Sequence, residues 1–137
     1  MKRPFDDQSK PRIRAESRAI ASILEAVEEG DYQLIRSPAL DFENSRNPVE
    51  NRRLIVETWL EKFSKKIPLS PEVEKRAFEL NNKGIRPLDA YHIAFAEKSQ
   101  AVFYITCDYR LLKIRHELKD DLKTKVINPT ELIIRRI

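Results

Sequence analysis

Apolar residues recur every three or four positions along much of the chain, which predicts helices separated by short runs of different character. Ile13, Ile20, Ile23, Leu24 and Val27 mark one face of a helix over residues 11–29, with Pro11 suited to its first turn and Gly30 to its stop. The charges between them, Arg12, Arg14, Glu16, Arg18, Glu25 and Glu28, predict a solvated opposite face. Residues 32–37 read as a strand, and residues 38–44 as a short helix leaving its end. Asn47 before Pro48, and Ser70 before Pro71, each place a capping side chain ahead of a first-turn proline. The helices they open carry Val56, Trp59, Leu60 and Phe63, then Val73, Ala77 and Leu80, with Gly84 ending the second. A helix over 88–99, a continuous apolar strand over 102–107 and a short helix over 109–113 come next. Ala94 and Ala96 are small enough to let the 88–99 helix approach a sheet closely. Asn128, Pro129, Thr130 and Glu131 cap a final helix whose terminal basic residues suit its dipole. Strands alternating with helices predict an α/β fold with a small parallel sheet, in a single domain over residues 1–137.

That arrangement gives two acids a shared position. The 88–99 helix rises about 18 Å and the next strand returns about 20 Å. Asp89, at the helix start, and Asp108, just past the strand, therefore come to the same sheet edge, the carboxyl edge where open α/β sheets bind ligands. Two carboxylates there repel unless a cation sits between them, and hard oxygen ligands suit Mg2+ or Mn2+. A plainer reading stands beside this one: Asp89 favours a helix N-terminus and Asp108 caps the next helix. Spacing alone leaves both open. His92 lies on nearly the same helical face as Asp89, as a general acid, a metal ligand or a hydrogen-bonded structural histidine. Thr106 either orients a water or phosphate, or is an ordinary strand threonine. Cys107, the only cysteine, allows no internal disulfide and reads as a small apolar residue rather than a nucleophile. Trp59 reads as core, or as an aromatic on which a base stacks.

The run Leu-Asp-Ala-Tyr-His-Ile-Ala at 88–94, with Phe-Tyr-Ile-Thr-Cys-Asp-Tyr-Arg-Leu-Leu after it at 103–112, resembles the C-terminal half of a PIN domain, the family of VapC-type toxin ribonucleases. Residues 125–133 resemble that family's last strand and the helix after it. The resemblance implies a PIN-like three-layer α/β/α fold and Mg2+- or Mn2+-dependent hydrolysis of RNA phosphodiester bonds. It also implies Glu43, Asp89 and Asp108 as catalytic, metal-binding acids, and an antitoxin protein as partner. Glu43 lies six residues past Ser37, where the family carries a glutamate; Asp41, two residues away, cannot share its helix face.

One departure matters. PIN domains open with a strand ending in an aspartate, and Arg-Pro-Phe-Asp-Asp at 3–7 resembles the family's segment shortly after that strand. The resemblance thus implies that the central strand and its acid are missing; Asp6 and Asp7 read as loop or cap residues rather than replacements. Without it, the strands near 32–37 and 103–106 must pair directly, leave open edges or borrow a strand from another chain. This predicts a rearranged or homo-oligomeric, dimeric structure with weak or absent nuclease activity. The rival expectation is a noncatalytic PIN-like binding or assembly module.

Composition narrows the picture modestly. With 41% hydrophobic and 35% charged residues the chain is globular. No apolar run approaches membrane-spanning length and no signal-peptide pattern opens the chain, so the expectation is cytoplasmic, without membrane. A net charge of +4 suits a polyanion without requiring one. Arg52, Arg53, Lys65, Lys66, Arg110, Lys113, Arg115, Lys123, Lys125, Arg135 and Arg136 form either a phosphate-attracting stripe or a solvated surface. The 2 glycines exclude a glycine-rich phosphate cradle.

Overall fold

The computed structural model describes residues 10–136, with side chains over 11–133. Asp6 and Asp7 lie outside the described residues, as do the side chains of Arg135 and Arg136. Helix α1 (Lys10–Glu28) leads to strand β1 (Leu34–Arg36), and then to helices α2 (Pro38–Ser45) and α3 (Glu50–Phe63). Strand β2 (Ser64–Lys66) comes next, then α4 (Pro71–Asn82), α5 (Pro87–Lys98) and β3 (Phe103–Ile105). Helix α6 (Tyr109–Leu118), strand β4 (Lys125–Ile127) and helix α7 (Pro129–Arg136) complete the chain.

Local capping chemistry sets several of these boundaries. The Ser37 and Ser70 hydroxyls accept from the backbone N–H of Leu40 and Val73, each ahead of a first-turn proline. Asn128 accepts from the Thr130 N–H at 2.9 Å while its own N–H donates to Glu131 at 3.0 Å, a reciprocal capping box. Asn47 and Pro48 do not open α3 as predicted. Asn47 Oδ1 instead accepts from the Val49 N–H in a turn, and the helix begins at Glu50. Gly84 ends α4 at φ +103°, a conformation side chains resist, and a Cβ there would stand 3.2 Å from Ile114 Cδ1.

The strands form two separate parallel pairs, β1 with β2 and β3 with β4. Leu34 sits opposite Ser64, and Tyr104 opposite Val126. Of the three expected outcomes for the 32–37 and 103–106 strands, direct pairing is not adopted: among the described residues β1 and β3 belong to different pairs. Both are also shorter than predicted, and α6 is longer.

Side chains alternate across the second pair as a strand requires. Tyr104 and Val126 join a core built by Val73, Ala77 and Leu80 of α4, Ile93 and Phe95 of α5, and Leu111 of α6. Phe103, Ile105 and Ile127 face the other way, onto Ile23 of α1 and Leu132 of α7. The sheet thus lies between helical layers, the expected α/β/α arrangement. The α5 helix is buried from His92 to Ala96, its alanines permitting the close approach the sequence suggested. Burying Ile93 completely contributes about 1.5–3 kcal/mol.

Helix α1 turns a different face inward than its apolar spacing predicts. Ala19, Ile23, Ala26 and Val27 are buried, whereas Ile20 and Leu24 are exposed. Glu16, assigned to the solvated face, is buried and accepts from the Asn128 side chain. A buried carboxylate is tolerable only with such partners, and Arg12 lies 3.5 Å from it. Arg76 braces the opposite layer: it donates to both oxygens of Glu97, at 2.7 and 3.2 Å, and to the Asp121 carbonyl at 2.7 Å.

Candidate active site

Three connections bring functional side chains to the carboxyl end of the strands. Proline at the first turn of α5 fixes the helix start, placing Asp89 in the first turn, where the helix dipole favours an anion. Thr106, just past β3, accepts from the Asp108 N–H at 3.0 Å, so its hydroxyl shapes the turn that presents Asp108. Asp108 in turn caps α6, accepting from the Arg110 N–H at 2.9 Å. The plain structural reading of Asp108 is thus realised in this geometry, and Asp108 also lines a small cleft with Asp89, Arg86 and Arg110.

Electrostatics records that proximity. Partial burial first, and then the charge of Asp108, push the Asp89 carboxyl above its ordinary range; Glu43 adds to the rise, while His92 and the Tyr104 hydroxyl oppose it. Tyr104 donates to Asp89 at 3.4 Å, a long bond. Burial, reinforced by the three acids, raises the Tyr104 phenol so that it stays protonated and acts as a donor.

Glu43 reaches the site along another route. On α2, Asp41 turns to Arg36 at 2.7 Å, while Glu43 faces α5 and lies 3.5 Å from His92 Nε2. Asp41 and Glu43 therefore diverge, as their spacing requires. His92 holds the Glu43 carboxyl below its ordinary range, against a smaller opposing effect of burial. The contact is too long for a well-formed hydrogen bond, and the buried Nε2 has no other hydrogen-bond partner among the described residues. The imidazole also stacks on Tyr104, with ring centroids 5.5 Å apart and planes at 19°. Glu43, His92, Tyr104 and Asp89 form a continuous line, with Asp108 across the cleft from its end.

Among the described residues no three His, Cys, Asp or Glu side chains converge closely enough to enclose a metal by themselves. Two carboxylates on one cleft suit a hydrated cation rather than an enclosed one. Asp89 and Asp108 face one cleft and repel, and Mg2+ characteristically binds through one or two carboxylates while retaining waters.

Sequence reasoning missed the roles of Tyr104 and Arg12. Arg12 donates to the Cys107 carbonyl at 3.2 Å and its guanidinium lies 3.2 Å from the Tyr109 ring centroid, joining α1 to both neighbours of Asp108. Nothing in the local pattern signals a contact across 95 positions. Within the predicted basic stripe, Arg53 is committed to the Asn47 carbonyl, and Arg115 to the Val126 carbonyl and Glu131. Trp59 is half-buried beside Phe63, with centroids 5.1 Å apart.

Fold and site together define an α/β domain with an acid-lined cleft at the carboxyl edge of parallel strands. The family model of the PIN domain matches residues 2–117, and the chain belongs to that nuclease-type family. Strand β4 and helix α7 lie past the matched span and complete the second strand pair. No curated protein and no solved structure matches the chain.

Proposed function

We propose that this PIN domain is a divalent-metal-dependent, VapC-toxin-like endoribonuclease, with Asp89 and Asp108 as its central acids and Glu43 as the third. The observation that carries this reading is that Asp89 and Asp108 line one cleft; burial, and then the charge of Asp108, push the Asp89 carboxyl up. Bound there, Mg2+ or Mn2+ would supply Lewis-acid polarisation of an RNA phosphodiester and activation of water. The carboxylates hold the cation's charge, and Arg86 and Arg110 in the same cleft attract the phosphate. Tyr104 positions Asp89 through its hydroxyl, and His92 positions Glu43.

The split between β1 and β3 favours low activity in the chain by itself. A continuous sheet would hold Ser37 and Asp108 in fixed register; here Glu43 and Asp108 come after strands of separate pairs. A further strand joining them, supplied by another copy or partner, would remove that freedom. Helix α3 exposes Leu54, Ile55 and Val56, an apolar face that suits a homodimer or an antitoxin contact. A cytoplasmic setting accords with an RNA substrate. The second reading, a noncatalytic binding or assembly module, draws support from the same split.

Cleavage of RNA in Mn2+ tests the first reading. Cleavage abolished by Asp108→Asn is the expected result. Calorimetric titration that finds no Mg2+ or Mn2+ binding, together with inert RNA, would favour the module.

A further inference from the structure

Beside the acid cleft, α2 and α5 enclose a second opening of about 390 Å³ whose lining is mostly apolar. Ala39 and Phe42 of α2 form one wall; Leu88, Tyr91 and Phe95 of α5 form the other. Each wall is one residue away from an acid, because Glu43 comes directly after Phe42 and Asp89 directly after Leu88. Phe42 is 51% exposed, and the Arg46 guanidinium lies 5.5 Å from its ring centroid. Arg86 is exposed at the start of α5, next to Pro87 in the lining.

From this juxtaposition we infer that the trough is a nucleobase subsite: one unpaired base next to the scissile phosphate seats against Phe42, Leu88 and Tyr91, while Arg46 and Arg86 hold the flanking phosphates. The inference rests on the ribonuclease reading and names its substrate as single-stranded RNA. An aromatic and aliphatic slot receives any base through its π face, and guanidinium groups beside it match the phosphate backbone. The volume lies within the roughly 300–1,000 Å³ of small-molecule sites, so it admits a base with its sugar. A base-paired strand does not present a base in this way, so the subsite selects unpaired RNA.

The test is binding of fluorescently labelled single-stranded RNA to the full chain in EDTA, read by anisotropy, so that cleavage plays no part. Phe42→Ala is expected to weaken binding about tenfold, Phe42→Trp to restore it, and Phe78→Ala, at a more exposed ring outside the trough, to leave it unchanged. Removing one base from the RNA is expected to mimic Phe42→Ala, with no additional loss when the two are combined. Equal binding by wild type and Phe42→Ala would overturn the subsite while leaving the nuclease reading intact if cleavage persists. A Phe42→Ala change in sedimented mass, with RNA affinity unaltered, would overturn it in favour of a protein contact. Wild-type protein that neither binds nor cleaves RNA would overturn both.

Discussion

His92 Nε2 stands 3.5 Å from Glu43 Oε2, a polar tie between the helix after β1 and the helix before β3. Its nitrogen is buried with no good hydrogen bond, while its ring is stacked on Tyr104. His92→Phe should therefore preserve the stack and cost less than about 1 kcal/mol, whereas His92→Ala should cost about 2–4 kcal/mol by opening a cavity. Urea denaturation distinguishes them. Glu43 is held below its ordinary value of 4.5, so its contribution is present above that pH and lost as pH falls through the folded value. His92→Phe should flatten that acid limb, modestly because Glu43 is largely exposed.

Asp89 carries the opposite sign. Its carboxyl is raised above 3.8, so the folded protein retains that proton longer than the unfolded chain does. Stability is fully present below 3.8 and is lost as pH rises through the folded value. Asp89→Asn should stabilise the fold at neutral pH without divalent ions, by no more than about 1 kcal/mol given the residue's partial exposure, and raise the melting temperature accordingly. Adding Mg2+ or Mn2+ should raise the wild-type melting temperature and narrow the gap. An unchanged wild-type melting curve on metal addition would count against the cleft as a cation site.

Asp108 combines a cap with a charge, and two substitutions separate them. Asparagine caps a helix nearly as well as aspartate, so Asp108→Asn should melt within about 0.5 kcal/mol of wild type while abolishing cleavage. Asp108→Ala should lose the cap as well, at about 1 kcal/mol. Paired thermal melts and RNase assays read the two losses independently.

Arg76 should be the costliest of these surface-facing changes. Arg76→Met leaves the nearly buried Glu97 with the Lys123 N–H but no opposite charge and strands the Asp121 carbonyl, a loss of about 3 kcal/mol by denaturant midpoint. Glu97→Gln, which retains hydrogen-bonding capacity, should cost less.

The legible features were those whose chemistry is local. Ser37 with Pro38, Ser70 with Pro71, and Asn128 with Glu131 announce helix starts because donor and acceptor lie within three residues. The common cleft of Asp89 and Asp108 was legible because the segment after the helix runs back to the edge where the helix starts, although its regular strand, Phe103–Ile105, is shorter than the helix. Strand β2 was not, since Ser64, Lys65 and Lys66 carry no apolar alternation; lysines on a short strand suit an edge instead. Burial of Glu16 was likewise hidden, its partner Asn128 lying 112 positions away. The His92–Glu43 tie depends on how α2 packs on α5, which neither segment specifies alone.

The grip of Arg12 on the Cys107 carbonyl and the Tyr109 ring has a practical corollary. It anchors the opening turn of α1 within one arginine's length of Asp108, at the rim of the acid cleft. Removing that guanidinium would loosen the turn that presents Asp108 without altering any carboxylate.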